Sequence, residues 1–216
     1  MKNKLFALWL FAIFILLSSC ENLFLGKPKN VHIVNEILTE LNRVRSNPKK
    51  YAEEELKPRL KYFDGKLYKV PGQIPLQTNE GAPAVQECIN ALINTNPVEV
   101  LKLENGLCLS AQWLADDQAN TGKIGHNGSD GSSPFQRMNR YGKVLILAGE
   151  NCAYGTKTGK EIVAQLLIDD GVMNRGHRNN ILNPIFKKVG IGYNDEGKAP
   201  YGAVSVMDFA GGYVSK

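Results

Sequence analysis

Apolar residues recur at helical spacing along much of the chain. Ile33, Val34, Ile37, Leu38, Leu41 and Val44 share one face and predict an amphipathic helix. Asn47-Pro48 ends it, because the residue before a proline is pushed out of the helical region. His32, at the start of this helix, reads as a surface residue. Residues 56–81 carry Pro58, Pro71, Pro75, glycines and scattered aromatics without any period, which predicts irregular surface. Pro83 suits the first turn of a second helix running to about Ile93, with Val85, Cys88, Ile89 and Leu92 inward. A third runs from about Leu109 to Asn120, burying Trp113 and Leu114, and Gly122 stops it.

The second half changes rhythm. Ile124 to Met138 is dense in Gly, Asn, Ser and Asp and predicts a loop around His126. Val144 to Ala148 is a short apolar run, too short for a helix, which predicts a buried strand leading into Glu150. Thr158 and Glu161 form a capping box, in which the hydroxyl takes the Glu161 amide and the carboxylate returns to the Thr158 amide. A helix therefore starts near Gly159, with Ile162, Val163, Leu166 and Leu167 on one face and Gly171 as its left-handed stop. It delivers Asp169 and Asp170 at its end, and His177 follows within one turn. Val189, Ile191 and Tyr193 alternate with glycines, Asp195-Glu196-Gly197 turns the chain, and Ala203 to Phe209 alternates again, which predicts an antiparallel hairpin. Helices flanking a few strands make an α+β domain, a small sheet covered by helices.

The N-terminus is different in kind. Lys2 and Lys4 precede an apolar run from Leu5 to Leu17, then Ser18, Ser19 and Cys20, a signal-peptide pattern over residues 1–19. Leu17-Ser18-Ser19-Cys20 resembles a bacterial lipobox, whose cysteine is acylated, so the expected anchor is a membrane lipid on Cys20. Glu21, in place of aspartate, resembles the sorting signal for an outer membrane where one exists. Residues 20–30 then read as a tether and 31–213 as one domain. Cleavage before Cys20 removes two lysines and no acid, lowering the formal charge from +5 to about +3. No basic stripe interleaved with aromatics points to nucleic acid. Cys88, Cys108 and Cys152 are an odd set for an oxidising compartment; Cys88 with Cys108 is the expected bridge, across a short loop, and Cys152 the spare buried thiol.

The candidate chemistry lies in His126, Glu150, one of Asp169 and Asp170, and His177. Two imidazoles and two carboxylates suit a divalent ion, zinc first, and equally suit an acid/base cleft. Spacing alone gives no short chelating motif, since the histidines are about fifty residues apart.

Four ordered motifs add a resemblance. G-H-N-G-S-D-G-S-S-P-F-Q-R, G-E-N-C-A-Y-G, D-D-G-V-M-N-R-G-H-R-N-N-I-L-N-P and K-V-G-I-G-Y-N resemble the CAP superfamily, or SCP/PR-1-like domain, in its bacterial branch. The likeness is dense over residues 107–194, and N-R-V-R-S-N-P extends it back to about Val31. It implies a three-layer α-β-α sandwich whose cleft carries two histidines and two acids that bind a divalent cation in some members. By motif these fall on His126, Glu150 and His177. At the fourth position, where members often have glutamate, this chain offers Asp169 and Asp170. The cysteine framework of the secreted eukaryotic members is absent, so channel binding and sterol transport are not implied. For the peptidase activity proposed in parts of the family, Ser129, Ser132, Ser133 and Ser205 are available, and none sits in a nucleophile elbow. The expected function is an envelope-tethered lipoprotein whose His/acid cleft binds an envelope ligand or protein without catalysis; the alternative is a hydrolase of peptide or cell-wall material.

Overall fold

A computed structural model describes residues 28–216; the signal-peptide pattern, Cys20 and most of the expected tether lie outside the described residues. Helix α1 spans Pro28–Ser46 and stops before Asn47. The Asn47 side chain then accepts from the Lys50 amide and starts the single turn α2, Pro48–Tyr51. Irregular helical turns carry the chain to Tyr62. Strands β1 (Phe63–Asp64), β2 (Leu67–Tyr68) and β3 (Leu76–Gln77) then form a small antiparallel sheet. The stretch read as irregular surface is thus ordered; two-residue strands are too short to show alternation.

Next come α3 (Ala82–Ile93), β4 (Lys102–Leu103) and α4 (Asn105–Thr121), which ends on a left-handed Gly122 as expected. Trp113 is only half-buried, under the Arg140 guanidinium at 5.0 Å. Within the stretch read as loop, Pro134–Tyr141 is helix α5, opened by a reciprocal capping box between Ser133 and Gln136. Strands β5 (Gly142–Val144) and β6 (Ala148–Tyr154) follow. The expected buried strand at Val144–Ala148 does not form. Leu145, Ile146 and Leu147 are 55%, 58% and 47% exposed, forming a crossing over Gly211 and Gly212, and the buried strand begins where that run ends.

The chain closes with α6 (Gly159–Ile168), α7 (Gly176–Leu182), β7 (Lys188–Asn194), β8 (Val204–Ala210) and β9 (Tyr213–Ser215). At α6 the Thr158 hydroxyl takes the Glu161 amide, but the Glu161 carboxylate turns away to a two-bond pair with Arg59, both at 2.7 Å. The left-handed residue closing α6 is Asp169 (φ 56°), and Gly171 (φ 82°) lies two residues on in the following turn.

The main sheet has the order β4-β7-β8-β6, with β7/β8 and β8/β6 antiparallel and β4/β7 parallel. Val189, Ile191, Tyr193, Met207 and Phe209 face one side and build the larger core with α1, α3, α6 and α7. Gly190 and Gly192 face the other side, where a Cβ would lie 1.9 Å and 2.4 Å from the backbone of Leu107 and Ala111. These two glycines let α4 press against the sheet, and α5 packs on α4. The result is a three-layer α-β-α sandwich, as the motifs implied.

The sheet also rules out the expected disulfide. Cys88 lies in the larger core and donates to the Leu167 carbonyl at 3.1 Å, whereas Cys108, on α4, sits against Gly190 on the opposite face. Cys88, Cys108 and Cys152 are all free and buried.

Candidate functional site

Strand β6 is the edge of the main sheet, and its alternation sends Glu150 and Cys152 toward the α4 and α5 layer. The loop after α4 is pinned there: Gln118 donates to the Gly125 carbonyl at 2.6 Å, and the Gly125 amide donates to the Tyr154 hydroxyl at 2.9 Å. That brings His126 over β6, with Nδ1 2.8 Å from Glu150 Oε1. The imidazole is 49% exposed and the carboxylate 2%. Glu150 Oε2 accepts from Arg137 Nη2 at 2.5 Å, and the fully buried Arg137 also donates to the Ser132 carbonyl. Glu150 is therefore held between a guanidinium and an imidazole, with both oxygens committed.

The second histidine is built the same way from the other helical layer. The left-handed turn at Asp169 folds its carboxylate back over the start of α7. Its Oδ2 accepts the His177 amide at 2.9 Å, and its Oδ1 lies 2.6 Å from His177 Nδ1. Arg175, itself left-handed (φ 49°), locks this turn by donating to the Asp169 carbonyl and pairing with Glu80. Asp170 goes elsewhere: it accepts the backbone amides of Asn79 and Glu80 at 2.6 Å and 2.7 Å, at the entry to α3. Of the two acids that the sequence offered, the structure brings Asp169 to His177 and keeps Asp170 out.

Asparagines join the two halves. Asn151 donates to the His177 carbonyl at 3.0 Å, and Asn180 donates to Asn151 Oδ1 at 2.9 Å and the Glu150 carbonyl at 3.4 Å. Two carboxylate–imidazole pairs thus flank the edge strand, one from each helical layer, where the sequence predicts a single four-residue constellation. Among the described residues one group of three ligand-type atoms lies within 4.8 Å of one another, His126, Glu150 and Cys152, and neither His177 nor Asp169 joins it.

With a carboxylate accepting at Nδ1, each neutral ring carries its proton there and leaves the Nε2 lone pair free. That is the arrangement in which an acid orients a metal-ligating histidine. His126 and His177 therefore each leave Nε2 open, with Glu150 and Asp169 holding the rings.

Arg137 and Asp208 escaped the sequence reading, and Cys152, expected as a spare buried thiol, is one. Arg137 was legible only through the Ser133-Pro134-Phe135-Gln136 capping signature, which places it on a helix. Cys152 Sγ lies 3.7 Å from His126 Nδ1, but burial pushes the thiol well above its ordinary range and leaves it a poor nucleophile. Asp208 stands opposite Glu150 in the β6/β8 register, fully buried, and burial together with the Glu150 charge drives its carboxyl well above the carboxylate range. The signal for it was one acid inside an otherwise apolar alternating run.

The sandwich and its paired histidines define a class, and the chain belongs to it: the CAP, or cysteine-rich secretory protein, family matches over residues 86–209. Among curated relatives, the uncharacterized protein YkwD of Bacillus subtilis (strain 168) is 34% identical over 113 residues, 52% of this chain. The match spans 42% of that relative's own length. Similar solved structures include an extracellular SCP-domain protein from Bacillus anthracis (19% identity, TM-score 0.42, 60% of this chain and 37% of that one). An outer surface protein from Borrelia burgdorferi gives 20% identity and a TM-score of 0.45, over 52% of this chain and 78% of that one. Venom allergen-like protein 4 of Schistosoma mansoni gives 16% and 0.43, over 82% and 86%.

Proposed function

We propose that this protein is an extracytoplasmic lipoprotein, anchored through Cys20, whose cleft binds an envelope ligand or protein partner without turnover. In this reading His126 and His177 hold a divalent cation, zinc first. The observation that carries it is the pair of carboxylate–imidazole contacts, each fixing Nδ1 and freeing Nε2. A bound cation would supply an electrophilic anchor for an anionic or carbonyl oxygen of the ligand.

The use made of the hydroxyls supports a reading without a serine nucleophile. Ser129 Oγ is bound to Asp117, Ser132 Oγ to Asp130 at 2.6 Å, and Ser133 caps α5. Ser205 is buried in the sheet. None of these four is hydrogen-bonded to either histidine, so no hydroxyl is set up as an activated nucleophile. The anchor rests on Lys2, Lys4, the apolar run and Leu17-Ser18-Ser19-Cys20. Among the described residues no helix is long and apolar enough to cross a membrane.

A broad peptide and muropeptide panel incubated with the protein tests the reading. No turnover is expected. Turnover lost in both His126→Ala and His177→Ala would replace it with a hydrolase acting on peptide or cell-wall material.

A further inference from the structure

We propose that Asp208 is a positioning residue for the His126–Glu150 pair, present as a neutral carboxylic acid whose O–H donates to the Glu150 carboxylate. The inference goes beyond the binding reading and does not depend on which ligand the cleft takes. Asp208 in β8 is the direct register partner of Glu150 in β6, and both side chains point under α4. It is completely buried, and neither carboxyl oxygen accepts a hydrogen bond from a described residue. A carboxylate stripped of water and of donors is heavily penalised, whereas a neutral acid needs only one acceptor for its proton.

The groups that face Asp208 decide the charge state. Glu150 and Cys152 approach from β6, Cys108 and Ser110 from α4, Arg137 from α5 and Tyr213 from β9. Arg137 is the one cation among these, and its bonds go to Glu150 Oε2 and the Ser132 carbonyl. Two buried acids against one guanidinium leave room for one negative charge. Arg137 and His126 both lie against Glu150, whereas neither carboxyl oxygen of Asp208 has a partner among the described residues. Asp208 keeps the proton, and burial and the Glu150 charge push its carboxyl in that direction. The Ser110 hydroxyl, buried and also without a partner, lies beside Asp208 and is placed to donate to the carbonyl oxygen of the acid.

Protonated in this way, Asp208 braces the face of Glu150 that His126 and Arg137 do not reach. Glu150 is then supported from three elements at once, which fixes the carboxylate that aims the His126 ring.

Infrared spectroscopy of the full-length protein in heavy water near neutral pD tests the proposal. The expected result is a carbonyl stretch of a protonated carboxyl that moves to lower frequency with carbon-13 aspartate labelling and vanishes in Asp208→Asn. The absence of that band in the wild type would overturn the proposal, as would a band that responds only to labelled glutamate. For the positioning role, the low-field Nδ1–H resonance of His126 should survive Asp208→Asn, a neutral donor of the same shape, and be lost in Asp208→Leu. Its survival in a folded Asp208→Leu protein would show that Glu150 holds the ring without Asp208.

Discussion

Arg45 carries a sharp energetic test, because it ties the far end of the His177 helix to α1. The side chain is fully buried, and burial pulls its guanidinium down to about 10. It meets four carbonyls and no carboxylate: Nε reaches Glu99 O at 2.8 Å, Nη1 reaches Ile181 O at 2.6 Å and Asn183 O at 3.1 Å, and Nη2 reaches Phe186 O at 2.9 Å. Burial is the larger cause of that downward shift, and the Glu99 charge opposes it. Bonds from a charged donor contribute about 1.5 kcal/mol each after exchange with water, and four sharing one guanidinium should together be worth at least about 3 kcal/mol. Arg45→Met removes the four bonds and leaves their carbonyls without this donor, and should destabilise by about 3 kcal/mol, lowering Tm by roughly 6–12 °C for a chain of this size. Arg45→Lys should fall between, since an ammonium has three donors and no planar fork. Urea unfolding with an unchanged m-value is the assay. A loss below about 1 kcal/mol for the Met variant would refute the claim that these bonds outweigh burial.

Other outcomes are open to measurement. Gly171→Val should cost about 1 kcal/mol or more in thermal unfolding, because φ is 82° and a Cβ would lie 2.6 Å from the Asn79 side chain; an unchanged Tm would show that the turn relaxes freely. The Arg175 side chain, with the Gly171 amide, holds the Glu80 carboxyl down to about 2. A folded value below the unfolded one gives stability that is present above about 4.5 and lost as pH falls toward 2. The gap between wild type and Glu80→Gln should therefore be open at neutral pH and closed by about pH 2, and a gap independent of pH would contradict the ion pair. Metabolic labelling with a fatty-acid probe should mark the wild type and miss Cys20→Ala, and label that persists in the variant would defeat the proposed anchor.

Much of the fold was legible because burial writes itself as period. The apolar stripes of α1, α3 and α6 and the glycine-alternating β7 could be read directly, since each buries one face against a single layer. The failures have physical causes. Leu145–Leu147 looked like a buried strand because composition does not say which side of a crossing faces solvent. Gly171 looked like the stop of α6, yet Asp169 adopts the left-handed conformation itself, offset by its bonds to His177. That same conformation separates Asp169 from Asp170, and no spacing rule distinguishes two adjacent acids by backbone handedness. The disulfide expectation failed because loop length ignores the sheet that stands between Cys88 and Cys108. Arg137 and Asp208 stayed hidden because their partners lie on other elements, brought together only by the β6/β8 register and the packing of α5.

If His126 and His177 present Nε2 to a shared cation while Glu150 and Asp169 hold the rings, zinc titration by calorimetry reads that arrangement out residue by residue. Binding is expected in the wild type and is lost in both His126→Ala and His177→Ala. Glu150→Gln and Asp169→Asn should weaken it by about 10–100-fold, the range for removing a partner that orients a ligating histidine, and Asp170→Asn should leave it unchanged. Zinc binding that survives both histidine substitutions, or that responds to Asp170 as strongly as to Asp169, would contradict the paired-histidine site.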